Sequence, residues 1–232
     1  MSEMEAVTKV RWLFFDLDGT LADSLPGLQA SIAEALSSGG RQLRVEDLRP
    51  FIGPGIRTIL KNLENDLTEA ELDEMERCFR ASYDTDGVKN ALLYEGVKQT
   101  LEALKANGAE LFLVTNKPKL ATVNLMEQHG IAGLFTEMLS RNSRQPGYAS
   151  KGEMLRELVV RYGLNAERAV MVGDTAEDHH AAREAGMRFA FVEYGYGEIG
   201  DEVKCIRLSQ FSELTQACGL PCANRASRVW TK

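Results

Sequence analysis

Basic residues are in short supply: 27 Lys and Arg stand against 34 Asp and Glu, for a formal net charge of −7. A nucleic-acid backbone is gripped by clustered Lys and Arg, so this balance argues against nucleic acid as a partner. It also means that a small anionic substrate needs local positive charge at its site. Histidine is scarce, at three residues, and the four cysteines are Cys78, Cys205, Cys218 and Cys222. They form no C-x-x-C pair and have no accompanying His ligands, which leaves zinc without a ligand set. Cys218 and Cys222 have helical spacing, but Gly219 and Pro221 interrupt it, so four reduced thiols are expected. No apolar run approaches the length of a membrane span. The opening Met-Ser-Glu-Met-Glu-Ala has neither the basic start nor the apolar run of a signal peptide. The expectation is a cytoplasmic protein without a membrane partner.

What is present is ordinary globular material. Apolar residues make up 44% and charged residues 26% of 232 positions, enough for one domain with an insertion or for two small domains. Buried-strand patterns fall at 10–15, 110–115, 169–173 and 188–193, with a weaker one at 204–208. Helical patterns lie between them at 97–107, 118–129, 151–162 and 176–185. That alternation predicts an α/β fold whose parallel sheet is covered on both faces, with function gathered at the carboxyl ends of the strands.

Residues 24–91 break the alternation. Leu25, Leu28, Ile32 and Leu36 keep helical spacing until Gly39-Gly40 stops the run. Leu67, Leu72, Met75 and Phe79 form a second amphipathic pattern, with Thr68 as N-cap ahead of Glu71. An all-helical insertion here, directly after the first strand, would form a lid. The expected division is a discontinuous core, 1–23 and 92–222, a helical cap, 24–91, and a loosely held tail, 223–232.

The first strand runs into Asp16-Leu17-Asp18-Gly19-Thr20. Alternation in an extended backbone puts Asp16 and Asp18 on one side, where like charges raise each other's pKa unless a cation or proton intervenes. A metal or acid–base role explains such a pair; a strand ending in an Asp-Gly turn also fits it. A calcium loop does not, because Leu21 and Gly27 occupy its glycine and glutamate positions. The second strand ends at Thr115-Asn116-Lys117-Pro118, where a hydroxyl and free amides at a helix start suit either an anion or simple capping. The third ends at Asp174, expected to cap a helix near Thr175 with Asp178 on its first turn. Lys151 opens a helix, against the helix dipole, beside these acids. Gly195-x-Gly197-x-x-Gly200 matches a dinucleotide fingerprint only formally; it follows the fourth strand with no helix opening from it, so a flexible loop is expected. The adjacent His179 and His180 would point in different directions on a helix and make no metal pair.

Together these residues resemble the haloacid dehalogenase-like superfamily, in its phosphoglycolate phosphatase-like branch with a helical cap. Phe15-Asp16-Leu17-Asp18-Gly19-Thr20-Leu21 resembles motif I, and Thr115-Asn116-Lys117 resembles motif II. Gly173-Asp174-Thr175 with Asp178, Ala181-Ala182 and Ala185-Gly186 resembles motif IV. Phe51-Ile52-Gly53-Pro54-Gly55-Ile56-Arg57 resembles the cap's specificity segment. Two features depart from the branch: Lys151 is followed by Gly152-Glu153 where a Lys-Pro-x-Pro context is frequent, and the segment 84–91 is unusual. Lys151 takes the motif III role in this reading, with Arg144 as the second choice.

The resemblance implies a Rossmann-like core and a Mg²⁺-dependent phosphatase. Asp16 would attack phosphorus to give an aspartyl-phosphate, and Asp18 would donate a proton to the leaving oxygen and later take one from water. Mg²⁺ would be held by Asp16, the backbone carbonyl of Asp18, and Asp174, with Asp178 supporting Asp174 or orienting Lys151. Thr115 and Lys151 would steady the transferring oxygens. Gly53, Arg57, Asn116 and Lys117 are the substrate-binding candidates, and Arg57 or Arg49 could pair with the carboxylate of phosphoglycolate. The competing readings are nucleotide, pyrophosphate or sugar-phosphate specificity, a phosphomutase, and a phosphate-binding regulatory domain without catalysis.

Overall fold

The structure, a computed structural model, describes residues 10–219, so Cys222 and the tail at 223–232 lie outside the described residues. Six strands form one parallel sheet: β1 (Trp12–Phe15), β4 (Glu110–Thr115), β5 (Glu137–Ser140), β6 (Ala169–Gly173), β7 (Arg188–Val192) and β8 (Ile206–Leu208). Their order is β5-β4-β1-β6-β7-β8. The chain leaves central β1 toward β4 and β5, then returns to β6 on the other side. That reversal opens a crevice beyond the carboxyl ends of β1, β4 and β6. Phe15 is in register with both Leu113 and Val172, so all three strands finish at nearly the same level.

Both faces of the sheet are buried, and period-two alternation divides the strand residues between them. Leu13, Phe15, Leu111, Leu113, Val170 and Val172 face one core; Phe14, Phe112, Val114 and Met171 face the other. The helices α4 (Val97–Ala106), α5 (Lys119–Gln128) and α8 (Leu214–Ala217) cover the first. The helices α6 (Lys151–Tyr162) and α7 (Ala176–Glu184) cover the second. Each fully buried Leu or Phe contributes about 1.5–3 kcal/mol of transfer free energy. Phe14 and Phe112 stack at 4.8 Å between ring centroids.

Within residues 24–91 the α-helices are α1 (Leu25–Ser38), α2 (Ile56–Leu63) and α3 (Glu69–Tyr83). α1 ends at Gly39, and α3 begins with the expected capping box of Thr68 and Glu71. α1 packs on α3, and Gly27 on α1 meets the 87–90 turn so closely that a Cβ there would lie 2.0 Å from the Gly87 carbonyl oxygen. The chain enters and leaves this segment through two short antiparallel strands, β2 (Ala22–Asp23) and β3 (Leu92–Leu93). β5 and α2 were not anticipated. β5 is a four-residue edge strand with only Met138 and Leu139 apolar, too short for a periodic pattern. Among the described residues, no helix is long and apolar enough to cross a membrane.

Candidate active site

Asp16 is the residue after β1 and is almost completely buried. Its Oδ2 lies 2.9 Å from the Nζ of Lys151, while its Oδ1 is buried with no hydrogen-bond partner. Burial pushes the carboxyl up to about 8; Lys151 opposes the rise, and Asp178 and Asp174 add to it. The like charges that act on Asp16 therefore come from β6 and α7, not from Asp18 as strand alternation alone would have it.

Lys151 is the first residue of α6, which Ser150 caps by accepting from the Glu153 amide. Its ammonium is buried and also donates to Asp178 Oδ1 at 2.6 Å. Desolvation alone would lower its pKa, but Asp16 and Asp178 outweigh that and hold it well above the ordinary lysine value. Asp178 in turn spends its Oδ2 on the amide and hydroxyl of Thr175, at 3.1 and 2.6 Å. Thr175, not Asp174, is thus the N-cap of α7, which corrects the sequence expectation. The physical reason is that Asp174 is turned inward: Oδ1 accepts from Thr20 Oγ1 at 2.9 Å and Oδ2 from the Tyr196 amide at 2.8 Å. Burial raises its carboxyl to about 6, with Asp178 adding and the two donors opposing.

Asp174 fits there because glycines surround it. A Cβ on Gly19, whose φ is +79°, would fall 2.2 Å from Asp174 Oδ2, and one on Gly195 would fall 2.2 Å from Asp174 Cβ. The loop at 195–200, expected to be flexible, packs its first glycine and Tyr196 directly against this acid. The hydroxyl of Tyr196 continues outward, accepting from the amides of Ser24 and Leu25 and donating to Asp23 at 2.8 Å, where the helical segment begins. One ligand atom each from Asp16, Asp174 and Asp178 gather within 4.8 Å of one another.

Asp18 points elsewhere. It accepts from Ser24 Oγ and, at 2.9 and 3.1 Å, from the Nζ of Lys117, which also donates to the hydroxyl of Tyr83 on α3. Burial acts to lower the pKa of Lys117, but Asp18 and Tyr83 raise it above its ordinary value. Thr115, buried at the end of β4, accepts from the Lys117 amide at 3.2 Å. Asn116 donates to the Gly53 carbonyl and to Glu177, each at 3.0 Å, and its Oδ1 is buried without a partner. Seven of the sequence candidates, Asp16, Asp18, Gly53, Thr115, Asn116, Lys117 and Lys151, line one chamber of about 60 Å³ between the sheet edge and the helical segment.

Arg57 is not brought into that chamber. Its guanidinium is held by Glu69, Asp73 and Glu76, at 2.6, 2.6 and 3.2 Å. Arg49 pairs with Asp47 at 2.8 Å, and Arg144 pairs with Glu153 and Glu157 at the surface. His180 pairs with Glu184, and His179 packs on Phe189; neither lines the chamber. Sequence reasoning missed Arg80 and Tyr83, which do line it. Tyr83 continues the Leu72, Met75, Phe79 stripe and so reads as core; only folding shows where its hydroxyl points.

The family model described as haloacid dehalogenase-like hydrolase matches residues 13–192. The chain is 32% identical over 229 residues to phosphoglycolate phosphatase 1 of Pseudomonas aeruginosa, covering 94% of this chain and 82% of that protein. It is also 32% identical over 231 residues to the phosphoglycolate phosphatase of Photobacterium profundum, covering 94% and 100%. Among solved structures, a predicted phosphoglycolate phosphatase from Haemophilus somnus superposes with a TM-score of 0.79 at 32% identity, over 90% of this chain and 98% of that one.

Proposed function

Because the chain belongs to the haloacid dehalogenase-like hydrolases, we propose that it is a Mg²⁺-dependent phosphatase of a small phosphorylated metabolite, working through an aspartyl-phosphate on Asp16. The observation that carries this reading is the state of Asp16: one oxygen is neutralised by Lys151, and the other is buried and unpartnered beside two further carboxylates. Three carboxylates with one ammonium leave a formal charge of −2, which a divalent cation cancels. Hard oxygen donors suit Mg²⁺. Asp16, Asp174 and the backbone carbonyl of Asp18 would hold it, and Asp178, whose Oδ1 is taken by the ammonium of Lys151, would support them by orienting that lysine. When bound, the ion offsets the repulsion between a carboxylate and a phosphate dianion.

In the first half-reaction a carboxylate oxygen of Asp16 bonds to phosphorus as the ester oxygen leaves, and Asp18 supplies the proton which that oxygen takes up. In the second, Asp18 removes a proton from the water that attacks the acyl-phosphate. Thr115 and Lys151 stabilise charge on the transferring oxygens, and Asp178 aims Lys151 by its 2.6 Å hydrogen bond. The segment 24–91 acts as a cap on a core made of 1–23 and 92–222. Its bonds to the core, Asn116 to Gly53 and Lys117 to Tyr83, support a closed state that keeps water away from the acyl-phosphate.

Phosphoglycolate is the proposed substrate, supported by the names of relatives at 32% identity, and the cytoplasm is the proposed compartment. The test is phosphate release from phosphoglycolate, nucleotides, sugar phosphates and pyrophosphate, with Mg²⁺ and with excess chelator. Metal-dependent turnover of phosphoglycolate is expected. A requirement for a sugar bisphosphate would replace the phosphatase with a mutase. Phosphate binding without turnover of any ester would leave a non-catalytic domain.

A further inference from the structure

We infer that Arg80 binds a carboxylate on the substrate's leaving group, so that the enzyme selects phosphate esters of short hydroxy acids. The inference rests on the phosphatase reading above. Three cations line the chamber: Lys151, Lys117 and Arg80. Lys151 is hydrogen-bonded to Asp178 and paired with Asp16, and Lys117 is hydrogen-bonded to Asp18. The guanidinium of Arg80 donates no hydrogen bond among the described residues, and its one ion pair, with Glu76 Oε1, spans 3.8 Å.

Glu76 is kept from closing on Arg80 by Arg57, which holds its other oxygen at 3.2 Å and is itself fixed by Glu69 and Asp73. Arg57 thus leaves Arg80 with its fork of donors open to a ligand. The guanidinium carbon of Arg80 lies over the ring of Phe79, 5.5 Å from its centroid. Much of the remaining wall is apolar: Leu28, Ile52, Ile56, Ile59 and Phe79.

Such a wall leaves the hydroxyls of a sugar without partners, which costs binding energy for each one buried. A short acid exposes little besides its carboxylate, and a guanidinium fork accepts a carboxylate in bidentate geometry. The transferring phosphate faces Asp16 and Lys151, so Arg80 serves the far end of the molecule. Arg80 also borders an outer cleft shared with Arg57, Asp84 and Arg141, and a leaving group much longer than a few atoms would have to run past it into that cleft.

The test compares kcat/KM for 2-phosphoglycolate and for methyl phosphate, whose leaving group has no charge, in the wild type, Arg80→Met and Arg80→Lys. The wild type is expected to favour phosphoglycolate. In Arg80→Met the ratio of the two constants is expected to fall about 10- to 100-fold, the scale of a hydrogen bond to a charged group, mainly through KM for phosphoglycolate. Arg80→Lys, which keeps charge without the fork, should fall between and serves if the Met variant fails to fold. An unchanged ratio in a folded variant overturns the assignment, as does equal loss on both esters. A wild type that hydrolyses methyl phosphate as well as phosphoglycolate also overturns it while leaving the phosphatase standing. A wild type that hydrolyses neither, nor any other ester, removes the phosphatase reading itself.

Discussion

Lys117 sits 2.9 Å from Asp18 Oδ1 and 3.1 Å from Oδ2 while donating to the hydroxyl of Tyr83, the last residue of α3. The end of the helical segment is thereby joined, through one ammonium, to the carboxylate assigned to proton transfer. Under the proposed function, closure of the cap and placement of the acid would be a single event. Lys117→Met should therefore slow esters with poor leaving groups by at least about tenfold, within the usual contribution of general acid catalysis. p-Nitrophenyl phosphate, which needs little protonation, should suffer less. Equal losses on alkyl and aryl esters would mean that Lys117 only supports the fold. Tyr83→Phe should act in the same direction and more weakly.

Asp16→Asn should abolish turnover and leave the circular dichroism spectrum unchanged, because the amide keeps the shape and loses the nucleophile. Ordinary activity in that variant would refute the assignment. Lys151→Ala strands the fully buried Asp178 and Asp16. Its kcat should fall about 10²- to 10³-fold, the scale of one transition-state donor. Its urea stability without metal should fall by about 3–5 kcal/mol, as when one member of a buried ion pair is removed. A near-wild-type rate would move the motif III role elsewhere.

The metal-free protein should lose stability as pH rises. Asp16 and Asp174 have ordinary values of 3.8 and are raised to about 8 and about 6 on folding. The native state therefore holds more protons than the unfolded chain between about pH 4 and pH 8. The contribution of these groups is complete below the lower limit and is lost as pH climbs through 6 and then 8. Bound Mg²⁺ would replace those protons, so the gap in Tm between Mg²⁺ and chelator should widen steadily over that window. A gap independent of pH would dissociate the acidic trio from the metal.

Gly195→Ala should impair metal binding without touching any charged residue. The added Cβ would fall 2.2 Å from Asp174 Cβ and 2.6 Å from its Oδ2, so the carboxylate must move. Overpacking of this kind costs about 1–3 kcal/mol. Displacing a ligand through its neighbours typically costs about 10- to 100-fold in metal affinity. A Mg²⁺ titration followed by Tm reads this directly, and an unchanged half-saturation would show that Asp174 does not ligate the ion.

Much of the site was legible because its parts are strand ends. Asp16, Thr115 and Asp174 each close an apolar run, and parallel strands in register bring such ends to one edge. The Thr68–Glu71 box was legible for a similar reason, since a cap is local chemistry. Arg57 misled because its motif neighbours Gly53 and Ile56 do line the chamber, while its own helical position faces three carboxylates of α3. The loop at 195–200 reads as flexible in the sequence because glycine spacing alone cannot reveal which side chain a missing Cβ makes room for.

The sequence by itself determined the alternating α/β order, the helical insertion after β1, and the acids, lysine and threonine available for phosphoryl transfer. Periodicity and capping are properties of neighbouring residues, and they survive in one dimension. Only the tertiary structure decided that Asp16 faces Lys151 while Asp18 faces Lys117 and that Asp174 turns inward to Tyr196. It alone left Arg80 rather than Arg57 in the chamber wall. Those choices depend on which charges meet after burial, and a buried charge is paired with whatever the packing brings within about 3 Å, however distant it lies along the chain.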